Sequence, residues 1–207
     1  MASVVQICNL ALSHIGSDAI VTSIDPPDGS VEAGHCARFY DLARTAMLEA
    51  GHWAFARKRV ELAEVTNTSD VWLYAYALPS DCLRPQIVLR LAADNVFSFE
   101  RFTLTELRSA DYELEGQVLR TNEPEATLLY TIDITDSTKF TPSFVSALSF
   151  MLAGYLAGPI VKGNEGARLG NAMRERAVAE GRSSAALNAN ASSTTADHTA
   201  AHISART

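Results

Sequence analysis

Residues 142–161, PSFVSALSFMLAGYLAGPIV, run for twenty positions without a charged side chain. Thr141 and Pro142 are typical of an N-cap and a first helical position, and Pro159 is expected to end the helix. A segment of this kind is either a helix buried on all sides by the rest of the protein or a membrane span, which needs about 20 apolar residues. Small residues recur along it, so we favour the buried helix and keep a membrane-inserted channel as an alternative.

A helix buried on all sides needs other helices around it, and the chain supplies three more helical patterns. Ser3 and Gln6 form a capping box ahead of a stripe that ends at Gly16. Ser30 caps a second helix, and Gly51 stands where a C′ glycine is expected. The segment 162–182, KGNEGARLGNAMRERAVAEGR, predicts a last and weaker helix, because Gly166, Gly170 and Gly181 lower helix propensity.

Between these helical patterns, residues 53–135 alternate with a period of two, as strands do. The strand-like runs are WAFARKRVEL, VWLYAYAL, QIVLRL, VFSFERF, YELEGQVLRT and ATLLYTIDI. We therefore predict an α+β fold in which a four-helix layer, from residues 3–50 and 142–182, carries an inserted antiparallel β-rich lobe over 53–135.

The composition changes at residue 183. Residues 1–182 are expected to form one domain, whereas 183–207, rich in Ala, Ser, Thr and Asn, form a low-complexity C-terminal tail. Few apolar side chains are available there to fold it, so we expect it to be flexible in the free protein and to order only on a partner.

Catalytic and metal-binding motifs are weak in this chain. The net charge of −7 argues against a broad DNA-gripping face, and no histidine spacing in a helical context predicts a metal site. Carboxylate pairs such as Glu49 with Glu61, or Asp111 with Glu113, leave a glycosidase-like enzyme open as an alternative. We otherwise expect no catalytic residues, no metal and no cofactor. The start of the chain has no basic region before its apolar run, so we expect no signal peptide.

The segment GHWAFARKRVEL, residues 51–62, holds the clearest candidate for a partner surface. Trp53 and Phe55 are expected to be core anchors. Arg57, Lys58 and Arg59 form a basic strand that either discourages edge pairing or docks on an acidic partner. Three further groups join the candidate interface from the C-terminal region: Arg182 with Ser183, His202, and Arg206.

The order of these features resembles the tail tubular protein A family, the head-to-tail adaptors of short-tailed bacteriophages. The resemblance rests on ICNLALSHIG, on SVEAGHCARFYDLARTAMLEAGHWAFARKRVEL, on YALPSDCLRP, and on the hairpin, strand and Leu/Ala-rich helix of residues 112–160. It covers roughly residues 5–165. Relatives often end with a Trp shortly before a terminal Arg, whereas this chain ends AHISART.

The resemblance implies a structural protein and not an enzyme; the alternative is a phage enzyme that degrades the cell wall with a carboxylate pair. It implies a homo-dodecameric ring beneath the portal protein, which seats the tail nozzle protein and lets genomic DNA pass through its lumen without specific binding. The expected locations are the virion neck and, during assembly, the host cytoplasm, with no membrane partner. An acidic ring suits such a conduit, because it repels passing DNA.

Overall fold

A computed structural model describes residues 2–18, 20–89 and 109–192, with the backbone alone over 184–192. In this part of the chain, four α-helices flank eight strands. The helices are α1 (Val4–His14), α2 (Val31–Ala50), α3 (Pro142–Val161) and α4 (Gly163–Ser192). The strands are β1 (Arg57–Glu61), β2 (Ala63–Val65), β3 (Tyr74–Ala77), β4 (Cys82–Leu89), β5 (Ser109–Ala110), β6 (Tyr112–Glu115), β7 (Val118–Thr121) and β8 (Thr127–Ile132). The α+β prediction is confirmed, with the β-rich lobe inserted between the two helical pairs.

The charge-free segment forms α3, which packs against α1, α2 and α4. Every residue from 147 to 154 is buried, so α3 has no polar face. Within the described residues, α3 is the one helix that is long and apolar enough to cross a membrane, and 61% of that apolar window is buried inside the protein. Its burial by the other helices is what the core-helix interpretation predicts. Pro159 does not end the helix, which continues to Val161.

The glycines of α4 form a seam for close packing against α3. Gly166, Gly170, Ala177 and Gly181 are buried along one face of α4. A methyl group on Gly170 would lie 2.8 Å from the carbonyl oxygen of Gly154, and one on Gly166 would lie 2.7 Å from that of Ala157. The expected weak helix is therefore held by tertiary contact, because small side chains let two helix backbones approach closely. The antiparallel turn between the helices lies at Lys162 and Gly163, where the sequence places it.

The lobe consists of two four-stranded antiparallel sheets. The first sheet has the order β1-β8-β4-β5 and the second has the order β2-β3-β7-β6. The chain passes directly between edge strands at both sides: from β1 to β2 through Leu62, and from β5 to β6 through Asp111. Because both edges are joined in this way, the two sheets enclose one apolar core, to which Leu62, Tyr76 and Tyr130 belong.

Several local predictions are confirmed, and three are corrected. The caps at Ser3, Ser30 and Thr141 form as expected, and Gly116 turns the β6–β7 hairpin with a positive φ. Gly51 is extended and not left-handed; it is glycine because a methyl group there would lie 2.8 Å from the indole nitrogen of Trp53.

The second correction concerns WAFARKRVEL, in which a 3-10 turn at Ala54–Ala56 precedes β1. This turn explains why the apolar positions change parity between Phe55 and Val60. The third concerns the end of the last helix, predicted at residue 182, because α4 continues to Ser192. Ala-rich sequence without glycine or proline follows Gly181, and alanine is the strongest helix former. The run VFSFERF and the tail beyond 192 lie outside the described residues.

Candidate interaction surface

Trp53 anchors the chain where the helices meet the entrance to the lobe. It is 1% exposed, and its indole N–H donates to the Met47 carbonyl oxygen at 2.8 Å. Its ring meets Phe144 of α3 edge-on, with centroids 4.9 Å apart. Phe55 is half-buried and also packs edge-on against Phe144. Both rings pack in the helical core, with Trp53 the more deeply buried of the two, and their role as anchors stays a prediction.

Among the described residues, the basic strand β1 pairs only with β8 and so lies at the edge of the first sheet. Arg57, Lys58 and Arg59 are all exposed, as predicted. Val60 packs on the core between the sheets, so Arg57 and Arg59, at the opposite parity, project from the outer face. Within the described part of the chain, neither arginine has an ion-pair partner. Their role as an interface remains a prediction.

Lys58 takes part in a small network at the side of the lobe. Its ammonium group lies 2.7 Å from the Asp81 carboxylate, which also accepts a hydrogen bond from the Tyr130 hydroxyl at 2.9 Å. The hydrogen bond from Lys58, and then that from Tyr130, lowers the pKa of Asp81. Lys58 is therefore partly neutralised in place, whereas Arg57 and Arg59 are available to a partner.

Two arginines that sequence analysis missed join the lobe to the helices. Arg44 is 3% exposed in the middle of α2; it pairs with Asp133 and donates to the Ile134 carbonyl oxygen at 3.0 Å. Arg84 of β4 donates to the carbonyl oxygen of Glu49, at a helix end that has no basic residue of its own. The sequence does hold a signal for Arg44, which follows Tyr40 by four residues and therefore lies on the apolar face of α2. An arginine on such a face predicts a buried partner, because arginine is seldom buried without one.

The remaining predicted interface residues are only partly described. Arg182 and Ser183 are exposed on α4, and the Ser183 hydroxyl donates to the Glu180 carbonyl oxygen. They directly follow Gly181, where a methyl group would lie 3.7 Å from the Trp53 ring. The structure therefore places this part of α4 beside the loop that leads into β1. His202 and Arg206 lie outside the described residues.

The carboxylate pairs considered for an enzyme lie in exposed positions. Glu49 ends near the C-terminus of α2 and Glu61 ends β1, while Asp111 and Glu113 lie around the start of β6. All four are exposed, unlike the apolar setting that keeps a glycosidase acid protonated.

A polar chain of side chains links α1, α3 and α4 within the helical layer. The Ser149 hydroxyl donates to the Ser146 carbonyl oxygen at 2.7 Å, so it accepts from His14, whose Nε2 lies 3.0 Å away. Desolvation and the nearby Arg176 lower the pKa of His14, against an opposing effect of Glu180. Ser149 is buried, so its hydroxyl is not accessible to a substrate in this structure.

The cysteines contact one another in a way that the sequence does not reveal. Cys8 and Cys36 are both buried where α1 meets α2, and the hydrogen bond between the thiols, together with burial, raises the pKa of Cys8. Within the described part of the chain, no three His, Cys, Asp or Glu side chains are grouped to hold a metal ion.

Comparison of the chain with protein-family models and with curated proteins gives no match. The fold and the charged surfaces of this chain therefore carry the functional argument.

Proposed function

We propose that this chain is a structural head-to-tail adaptor of a short-tailed bacteriophage, a connector without enzymatic activity. It forms a ring under the portal protein, extends the channel for DNA and seats the tail nozzle protein. The observation that carries the proposal is the architecture: a helical layer with a central charge-free helix and an inserted antiparallel lobe, in the order that the resemblance implies.

The surface chemistry supports a role in assembly. A stable helical core, built on α3, holds a lobe whose edge strand presents two exposed arginines. Exposed charges of this kind contribute little to folding but affect the rate and specificity of association. Arg182 and Ser183 of α4 lie near the loop that leads into β1. The two described parts of the candidate interface, Arg57–Arg59 and Arg182–Ser183, therefore lie in one region.

The test is to mix the full-length protein with the portal protein of the same phage and to image the complex by electron microscopy. We expect a ring on the tail-facing end of the portal, coaxial with its channel. A portal that remains bare at saturating protein, or binding of single copies without a ring, contradicts the proposal. The matched control is the Arg57→Ser/Lys58→Ser/Arg59→Ser variant, which should remain folded and decorate the portal poorly.

A further inference from the structure

The β-rich lobe is electrically polarised across its two sheets. Strands of the first sheet carry four basic residues and one acidic residue: Arg57, Lys58, Arg59, Arg84 and Glu61. The second sheet, with the β2–β3 connection, carries four acidic residues and one basic residue: Glu64, Asp70, Glu113, Glu115 and Arg120. By strand parity, Arg57, Arg59 and Glu61 lie on the outer face of the first sheet, and Glu113, Glu115 and Arg120 lie on that of the second, where Arg120 pairs with Glu115. Lys58 and Glu64 are opposite the inward-facing Tyr130 and Tyr76. The two outer faces therefore carry opposite net charge and, because the sheets pack face to face, point in opposite directions.

The acidic side of the lobe also presents a rigid apolar tip. Val71 and Leu73 are 75% and 70% exposed. The Leu73 backbone N–H donates to the Asn122 side chain at 3.1 Å, and the Trp72 indole N–H donates to Glu113 at 2.6 Å. A loop fixed in this way loses little conformational entropy on binding, so its two exposed aliphatic side chains are preorganised for contact.

The loop lies over the outer face of the second sheet. Thr68 accepts a hydrogen bond at 3.2 Å from Arg120, whose strand position is opposite Ala75. Ala75 is only 1% exposed although it points away from the core between the sheets. The apolar tip and the acidic residues of the second sheet are therefore parts of one surface.

The basic side offers a matching surface. Arg57, Arg59 and Glu61 alternate along the outer face of β1, and the neighbouring Leu129 of β8 is half-buried on the same face. Leu129 is opposite Ile87 of β4, which is also half-buried. Partly exposed aliphatic side chains beside unpaired arginines complement an acidic surface with an aliphatic tip.

We propose that copies of this chain associate lobe to lobe, with the basic outer face of the first sheet of one copy on the acidic face and β2–β3 loop of the next. Such a contact is heterologous, because two different surfaces of the chain meet, and repetition by rotation closes a ring. A two-fold contact between like faces would place arginine against arginine. Closure into a ring rests on the proposed function, whereas the pairwise contact does not.

Two segments of this chain outside the described residues are alternative occupants: 193–207, which carries Asp197 and Arg206, and 90–108, which carries three basic and three acidic residues. Both are balanced in formal charge and complement neither face electrostatically. A second copy complements both.

Site-directed cross-linking in solution tests the contact. In a Cys82→Ala background, one full-length variant carries Glu61→Cys on the basic face and another carries Val71→Cys on the loop. At high protein concentration and low salt, with a flexible bismaleimide spacer, we expect cross-linked dimers in the mixture and few in either variant alone. The yield should fall as salt rises, because the attraction is electrostatic. A matched control is Arg38→Cys, on the exposed side of α2.

Charge reversal on both partners tests the recognition. Adding Arg57→Glu/Arg59→Glu to the Glu61→Cys variant should abolish cross-linking to the Val71→Cys variant, and adding Asp70→Arg to that second variant should restore part of it. Three results overturn the proposal: a mixture that cross-links no better than the control, dimers of the Glu61→Cys variant with itself, or cross-linking that appears only after truncation at Ser192. The last would mean that residues 193–207 cover the face.

A single chain carrying both Glu61→Cys and Val71→Cys separates the contact from the ring. A ladder of cross-linked species that stops at one size supports ring closure. A ladder that continues without limit supports the contact between copies but contradicts the closed ring of the proposed function.

Discussion

At the scale of single residues, the difference between burial and exposure divides the segment 53–59 into a structural half and a candidate interface. Trp53→Ala removes a buried ring and its hydrogen bond to Met47, and we expect the free energy of unfolding to fall by about 3–5 kcal/mol. Chemical denaturation monitored by circular dichroism measures the loss. A change below about 1 kcal/mol would contradict the anchoring role.

The neighbouring basic residues provide the contrasting prediction. Arg57→Ser/Lys58→Ser/Arg59→Ser should change stability by less than about 1 kcal/mol, because the Lys58–Asp81 pair is exposed and the two arginines have no ion-pair partner in the described residues. The same variant should assemble poorly, more clearly at low salt than at high salt. If the variant assembles at wild-type yield, the three basic residues are only a solvent-exposed strand face and not part of an interface.

His14 gives the helical layer a pH dependence of known sign. Its pKa in the folded protein lies below its ordinary value of 6.5, so the unfolded chain takes up a proton that the folded chain resists. Stability should therefore decrease as the pH falls from about 7 toward 5, a window above the titration of the carboxylates. Unfolding curves across this range measure the slope, and His14→Gln should flatten it. An unchanged slope in that variant assigns the effect to other groups.

At the scale of elements, the α3–α4 pair depends on close contact and not on helix propensity. Gly170→Ala places a methyl group 2.8 Å from the backbone oxygen of Gly154 and should destabilise the protein by about 1–3 kcal/mol, despite the better helix propensity of alanine. The matched control is Gly34→Ala in α2, where no atom lies within 4 Å; it should stabilise by up to about 1 kcal/mol. Thermal unfolding of both variants measures the two changes in melting temperature. Equal changes would contradict the close packing of α4 on α3 at Gly170.

The end of α4 yields a second prediction at this scale. Arg182 and Ser183, the last residues of α4 whose side-chain surroundings are described, are exposed. Truncation after Ser183 should lower the free energy of unfolding by less than about 1 kcal/mol, because the Ala/Ser/Thr-rich sequence beyond it offers few apolar side chains to a core. It should weaken attachment to the portal. A truncated chain that fails to fold would place the segment in the core.

At the scale of the whole molecule, the proposed contact between copies is polar at its edges and has a small apolar centre. We therefore expect the purified chain to be monomeric or weakly associating and to form its ring on the portal. Analytical ultracentrifugation over a range of concentrations measures this. A tight dodecamer at micromolar concentration without portal would contradict template-dependent assembly.

How much of this molecule is determined locally can be judged element by element. The capping box at Ser3, the N-caps at Ser30 and Thr141 and the Gly116 hairpin follow from interactions within a few residues, so the sequence predicts them. The twenty charge-free residues determine α3, because no charged group needs solvent there. The alternation of residues 53–135 likewise predicts an antiparallel lobe.

Other properties exist only when distant segments meet. Gly166 and Gly170 lower the helix propensity of α4 in isolation, and only the carbonyl oxygens of α3 make them necessary. From the sequence Gly51 is read as a helix cap, whereas the structure shows that glycine is needed there because the Trp53 ring leaves no room for a side chain. Arg44 of α2 pairs with Asp133, which directly follows the last strand of the lobe, and Cys8 of α1 contacts Cys36 of α2. The opposite charge of the two lobe faces also depends on the order of strands in the sheets, because sequence periodicity assigns a residue to one side of its own strand but does not say which strands lie beside it.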